Sequence, residues 1–112
     1  MLRSENLRYL CPTAMNDNNV HISLTCIDFL VPQADSLKAK RRVIKSLKDR
    51  LRARLNASVA EIGYQEEWQR ATIGITMISN KRQHLQRGHS AINRLFEEKT
   101  DIQVLNIHME WL

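Results

Sequence analysis

The sequence is short of the residues that bend, break or staple a chain. Its 112 residues include three glycines, two prolines and two cysteines. With 43% apolar residues as well, disorder and low complexity are excluded in favour of one compact domain. A chain of this length buries a modest core without metal or disulfide support. Cys11 and Cys26 show no ligand spacing, and Cys26, within a strand pattern, reads as a small buried hydrophobe. A Cys11–Cys26 disulfide is the weaker alternative, because nothing points to secretion. No apolar run reaches membrane-spanning length, so no membrane role is expected.

The signatures of catalysis are missing too. There is no Gly-rich phosphate loop, no nucleophile elbow and no Cys/His arrangement. Glu61, Glu66 and Glu67 make no spaced acid/base pair, since the last two are adjacent and diverge. His84 and His89 stand five apart, about 140° around a helix, which is poor geometry for sharing a metal. His21 and His108 fall in different strands. No enzyme, metal, cofactor or small-molecule substrate is expected.

Acidic residues are also few, twelve against seventeen Lys and Arg, and the excess is not spread evenly. Between Lys38 and Arg54 lie nine Lys/Arg and one acid, Asp49, a net +8 in a chain of +5. The remainder is therefore mildly acidic. A localised positive field of this kind marks a site for a polyanion, nucleic acid being the commonest.

The cationic segment has the pattern of an amphipathic helix. Leu37, Val43, Ile44, Leu47, Leu51 and Leu55 recur at three- and four-residue steps within an arc of roughly 120°. Lys38, Arg41, Arg42, Lys45, Lys48 and Arg52 fill a similar arc opposite. Ser36 is suited to cap the N-terminus, and Asn56 to leave the helix in a left-handed conformation. A solvated helix face normally alternates charge sign. Here Lys38–Arg42, Arg41–Lys45, Lys45–Lys48 and Lys48–Arg52 all repel, at a combined cost on the order of 1 kcal/mol. An anion-binding helix gives that cost a purpose; a merely solvated face is the alternative.

Around this helix the elements follow in order. Residues 1–19 lack a sustained period and the apolar core of a signal peptide, and are expected to be a flexible extension, with Met15 as an alternative start. Residues 20–112 form the domain. Val20–Val31 reads as a strand, and so does Ala57–Tyr64. Arg70–Ser79 alternates, with Ala71, Ile73, Ile75 and Met77 on one face. Asn80 is placed to cap a second helix that runs to about Lys99, with Leu85, Ile92, Leu95 and Phe96 as its stripe and Gly88 allowing close packing. Ile102–Leu112 alternates again, with Leu105, Ile107, Met109 and Trp111 on one face. The order β-α-β-β-α-β predicts a ferredoxin-like α+β fold: a four-stranded antiparallel sheet with both helices on one face.

The stretch SLKAKRRVIKSLKDRLRARLNASVAE (residues 36–61) closely resembles the YlxP-like family of small bacterial proteins of unknown function. So do Gln65, Trp68-Gln69-Arg70-Ala71, Ile73-Gly74 and Ser79-Asn80. The family's usual phenylalanine before Asn56 is Leu55 here, and the acid that often follows Ser-Asn is Lys81. The resemblance spans about Val20 to Leu112 and implies a ferredoxin-like fold and a cytoplasmic bacterial setting. Genes of the family often neighbour those for translation initiation and ribosome maturation factors, which implies a role near the ribosome.

A non-enzymatic RNA- or ribosome-associated module is therefore expected. Its phosphate contacts are assigned to Lys38, Arg41, Arg42, Lys45, Lys48 and Arg52. Arg70 either joins them or pairs with Glu66 or Glu67. The third strand has no aromatic residue, which excludes base stacking of the RRM type on the sheet. Trp68 is expected to tuck over the sheet edge and close the core; an exposed ring that stacks a base or anchors a partner is the alternative. The competing function is a protein-interaction module, either a homodimer through the uncovered sheet face or the Trp111 end, or a site for an acidic protein.

Overall fold

The computed structural model describes residues 20–112; the extension expected at residues 1–19 lies outside them. Strand β1 (His21–Leu30) is followed by helix α1 (Leu37–Arg54) and strands β2 (Ala57–Gly63) and β3 (Arg70–Ser79). Helix α2 (Arg82–Glu98) and strand β4 (Gln103–Trp111) complete the domain. The sheet order is β2-β3-β1-β4, and every neighbouring pair is antiparallel. This is the ferredoxin-like α+β fold.

Period-two alternation decides which side of the sheet is dry. Ile27 and Phe29 of β1 and Ala71, Ile73, Ile75 and Met77 of β3 are buried under the helices. They meet Ile44, Leu47 and Leu51 of α1 and Leu85, Ile92, Leu95 and Phe96 of α2 in one continuous core. Phe29 and Phe96 pack edge to face with ring centroids 5.8 Å apart. Gly88 lets α2 lie close to the sheet, because a Cβ there would come within 2.6 Å of the Met77 sulfur.

Several local expectations need correction. Ser36 caps α1 as predicted, its hydroxyl accepting the Ala39 amide at 3.0 Å. Asn56, however, is not left-handed: the helix leaves through Leu55 in an extended conformation, and its amide donates to the Leu51 carbonyl. Asn80 does not cap α2. The flanking residue is Lys81, which has no side-chain capping bond, and the Ser79 hydroxyl accepts the Lys81 amide instead. In β4, a register shift opposite Asp28 and Phe29 sends Leu105 to the surface, so Val104 takes the position facing Phe29. An inserted residue reverses the facing of everything before it. Cys26 is half-buried on the uncovered face, opposite His108, rather than fully buried.

Lys40 departs furthest from what its residue type suggests. It belongs to the basic run, yet it is completely buried. Its ammonium donates to the carbonyls of Tyr64 (2.7 Å) and Arg70 (3.2 Å), with that of Gln65 at 3.4 Å. The Glu61 carboxylate lies 3.1 Å away. One cation thus ties α1 to both ends of the β2–β3 connection. The same connection is bonded to the β1–α1 turn: Val31 donates its amide to the Gln69 carbonyl, and the Gln69 side chain donates to the Pro32 and Ala34 carbonyls. Tyr64 sits within the clamp at φ 58°, the one non-glycine residue with positive φ among those described. Left-handed backbone costs a tyrosine about 1–2 kcal/mol, a cost its carbonyl's bond to Lys40 helps offset.

Lys40→Met should lower the unfolding free energy by about 3–5 kcal/mol, because it strands a buried carboxylate and three carbonyls. Urea denaturation measures this, with Lys38→Met, an exposed neighbour, expected within about 0.5 kcal/mol of wild type. Similar losses in both variants would show that the clamp contributes nothing special.

Candidate nucleic-acid interface

The roll of α1 about its axis follows from which residues it buries. Lys40, Ile44, Leu47 and Leu51 are the buried set. At about 100° per residue they share one narrow stripe. Arg41, Lys45, Lys48 and Arg52 then form a parallel stripe roughly 110° away, with Lys38 and Arg42 beyond it. Lys38, Arg41, Arg42, Lys45 and Arg52 are exposed, and Lys48 is half-buried. The six predicted helix cations therefore do form one ridge.

The flank formed by Arg41, Lys45, Lys48 and Arg52 borders an open groove against β2, with Glu61 on its far side. Only weak internal contacts engage these cations. Lys45 pairs with Asp49 at 3.1 Å, an exposed i,i+4 pair of the kind that contributes at most a few tenths of a kcal/mol. Arg52 reaches the Val59 carbonyl at 3.5 Å. Among the described residues, Lys38, Arg41, Arg42, Lys48 and Arg52 have no carboxylate within ion-pair distance. The acid best placed to neutralise this flank, Glu61, is taken up by Lys40 beneath it. Because neither partner of that pair faces outward freely, the ridge stays positive.

Arg70 is not part of the ridge. Its Cα partner in β1 is Leu30, which puts it on the sheet face away from the helices. There its guanidinium makes a forked pair with Asp28, Nη2 to Oδ2 at 2.7 Å and Nε to Oδ1 at 3.1 Å, and lies 4.1 Å above the Tyr64 ring. The carboxylate that takes it is therefore Asp28 in the adjoining strand, not Glu66 or Glu67. Register supplied this partner, and spacing along the chain gave no hint of it. Trp68 is also corrected: the residue is 53% exposed and closes no core. The Gln69 bonds to the β1–α1 turn fix the backbone there and leave the indole outside.

The uncovered sheet face has a different character from the ridge. Ile22, Leu24 and Cys26 lie along its centre, and Ile62 and Ile78 are 53% and 60% exposed. The Asp28–Arg70 pair closes one end. The histidines predicted to be hydrogen-bonded or solvent-facing divide accordingly. His84 is exposed with Nδ1 3.2 Å from the Ser79 hydroxyl, and His89 is half-buried with Nε2 3.5 Å from the Asn93 amide. No helix among the described residues is long and apolar enough to cross a membrane.

Hydrogen bonding from Arg70, reinforced by its charge and opposed by partial burial, holds the Asp28 carboxyl below its ordinary value of 3.8. A lowered folded value makes the pair stabilising above the unfolded value, with that contribution lost as pH falls through the folded one. Asp28→Asn should therefore be less stable than wild type at neutral pH. The gap should close as the pH is lowered beneath 3.8. Urea unfolding at stepped pH tests this; parallel profiles would contradict it.

Residues 22–109 match the family described as "Protein of unknown function (DUF503)". The chain is also 32% identical over 82 residues to the uncharacterized protein YlxP of Bacillus subtilis (strain 168). That alignment spans 73% of this chain and 89% of the relative. Both findings agree with the resemblance carried by residues 36–61. The matched span runs from β1 through β4 and takes in the ridge of α1, the Lys40 clamp and the uncovered sheet face. On these grounds the chain belongs to the DUF503 family of proteins of unknown function.

Proposed function

We propose that this protein is a non-enzymatic RNA- or ribosome-associated module of the cytoplasm that docks the exposed ridge of α1 on phosphates. The observation that carries the reading is the ridge of six cations, with one weak carboxylate pairing among the described residues. Arginine forks suit phosphate oxygens, and phosphate contacts give affinity and position with little base selectivity. Arg41, Lys45, Lys48 and Arg52 supply the central contacts, Lys38 and Arg42 the outer ones. Arg70 is left out, since its fork is already filled by Asp28.

Affinity for a structured RNA should fall with salt at about 0.7–0.9 log units per log unit of salt for each phosphate engaged. With four central cations engaged, the slope is about −3. Arg41→Glu/Lys45→Glu should weaken binding more than tenfold near 0.1 M salt and flatten the slope by about two. Equal affinity and slope for wild type and variant would remove the reading.

A second reading is favoured by one observation, the exposure of Ile62 and Ile78 on a sheet face that neither helix covers. Apolar residues gathered on one face are the mark of a protein contact. In this reading the module binds a second copy or another protein, with no nucleic-acid role. Light scattering of wild type and Ile62→Asp/Ile78→Asp tests it: dimer loss in the variant supports it, and a monomeric wild type at high micromolar concentration rejects the homodimer.

A further inference from the structure

The other flank of α1 carries a separate feature. Arg54, the last residue of the helix, projects about 200° around the axis from Arg52 and so faces α2 rather than the ridge. There the end of α1, the turn into β2, the end of β3 and the first half of α2 border an open cleft of about 440 Å³. Its floor is apolar, formed by Met77, Leu85 and Gly88, with Met77 and Leu85 5% and 3% exposed. Gly88 brings the backbone of α2 directly against Met77 here, since a Cβ would come within 2.6 Å of its sulfur. Leu55 and Ala91 form the walls.

The rim is cationic. Arg54 and Arg87 are exposed, and among the described residues neither has a carboxylate within ion-pair distance. His84 stands beside them with Nδ1 held 3.2 Å from the Ser79 hydroxyl, whose oxygen also accepts the Lys81 amide at 3.0 Å. The ring is thereby oriented with Nε2 as its second polar atom. An apolar floor under a cationic rim suits a ligand with a flat apolar body and an anionic group. The volume falls within the range of small-molecule sites.

We propose that this cleft binds a single nucleotide. The base lies on the Met77–Leu85–Gly88 floor with the Arg87 guanidinium stacked on it, and the phosphate sits between Arg54 and Arg87. Arginine does both jobs on nucleotides, stacking through its plane and gripping phosphate through its fork. The choice of a nucleotide rests on the RNA reading of α1, but the cleft shares no residue with the ridge. A phosphate strand following α1 would leave its end beside the cleft, which gives one base a place to turn inward. A free nucleotide has the same chemistry, so the test uses both forms.

The experiment is an amide NMR titration of the full chain with each of the four nucleoside monophosphates. Adenosine, inorganic phosphate and octyl phosphate serve as comparisons, and a structured RNA is measured alongside. At least one monophosphate should shift the amides of Leu55, Asn56, Ser79, Leu85 and Arg87. Arg54→Glu/Arg87→Glu should weaken that binding by about tenfold or more. Arg41→Glu/Lys45→Glu should leave it unchanged. Ala91→Phe, which fills the cleft and keeps both arginines, should also abolish it, and an unaltered amide spectrum outside the cleft shows that the fold survives.

Four results overturn the proposal: no shifts with any monophosphate, shifts confined to residues 41–52, equal binding of inorganic phosphate, or equal binding of octyl phosphate. Structured RNA bound through the ridge without any monophosphate in the cleft refutes the cleft and leaves the ridge standing. A bound monophosphate without RNA binding does the reverse and supports a site for free nucleotides. Loss of RNA affinity in the Arg54→Glu/Arg87→Glu chain, together with monophosphate binding in wild type, supports an RNA nucleotide as the occupant.

Discussion

The buried ammonium of Lys40 is the contact on which the arrangement of this protein turns. An isolated charge in a protein interior costs several kcal/mol, and the cost is tolerable only when its donors find strong partners. Lys40 finds one carboxylate and three main-chain carbonyls. Those partners come from β2 and from both ends of the β2–β3 connection, so one side chain couples the roll of α1 to the position of that loop. With Lys40 turned inward beside Ile44, Leu47 and Leu51, the helix has no freedom to bury any other face. Arg41, Lys45, Lys48 and Arg52 must then line the groove. The inward cation also occupies Glu61, the carboxylate best placed to quench them.

The two faces of the molecule consequently differ in kind. The helix layer concentrates positive charge of one sign and accepts about 1 kcal/mol of internal repulsion. The uncovered sheet face is apolar along its centre, and at one end the charge of Arg70 is matched by its fork with Asp28. A polyanion would be drawn to the first face by long-range attraction. A protein partner would meet the second by burial of Ile62 and Ile78. The two surfaces lie on opposite sides, so their occupants need not compete, and a dimer through the sheet would present two ridges to one RNA.

Most of the architecture could be read from the chain because periodicity records it directly. β3 runs over the residues expected, and the stripe of α2 is buried as read; in α1, Ile44, Leu47 and Leu51 are buried, Leu37, Val43 and Leu55 are half-buried, and Lys40 joins the buried set. The misses have local causes. The displacement of Leu105 comes from a bulge, which leaves no trace in an alternating pattern. Arg70 found Asp28 through strand register across 42 positions, where proximity in sequence suggested only Glu66 and Glu67. The exposure of Trp68 arises from a loop held by the side chains of Gln69 and Lys40 on carbonyls distant in sequence, contacts that periodicity does not record. Lys40 was more accessible to reasoning: it stands four residues before Ile44, in line with the apolar stripe, and a cation there signals an internal partner.

The central claim is that the ridge exists to engage the phosphates of RNA. Ultraviolet cross-linking in living cells, followed by mapping of nucleotide-bearing peptides, tests it most directly. The account predicts RNA adducts concentrated on peptides from residues 38–52, and their loss when Arg41 and Lys45 are both replaced by glutamate. Adducts absent altogether, or confined to the β1, β3 and β4 surface that the helices leave uncovered, would contradict it.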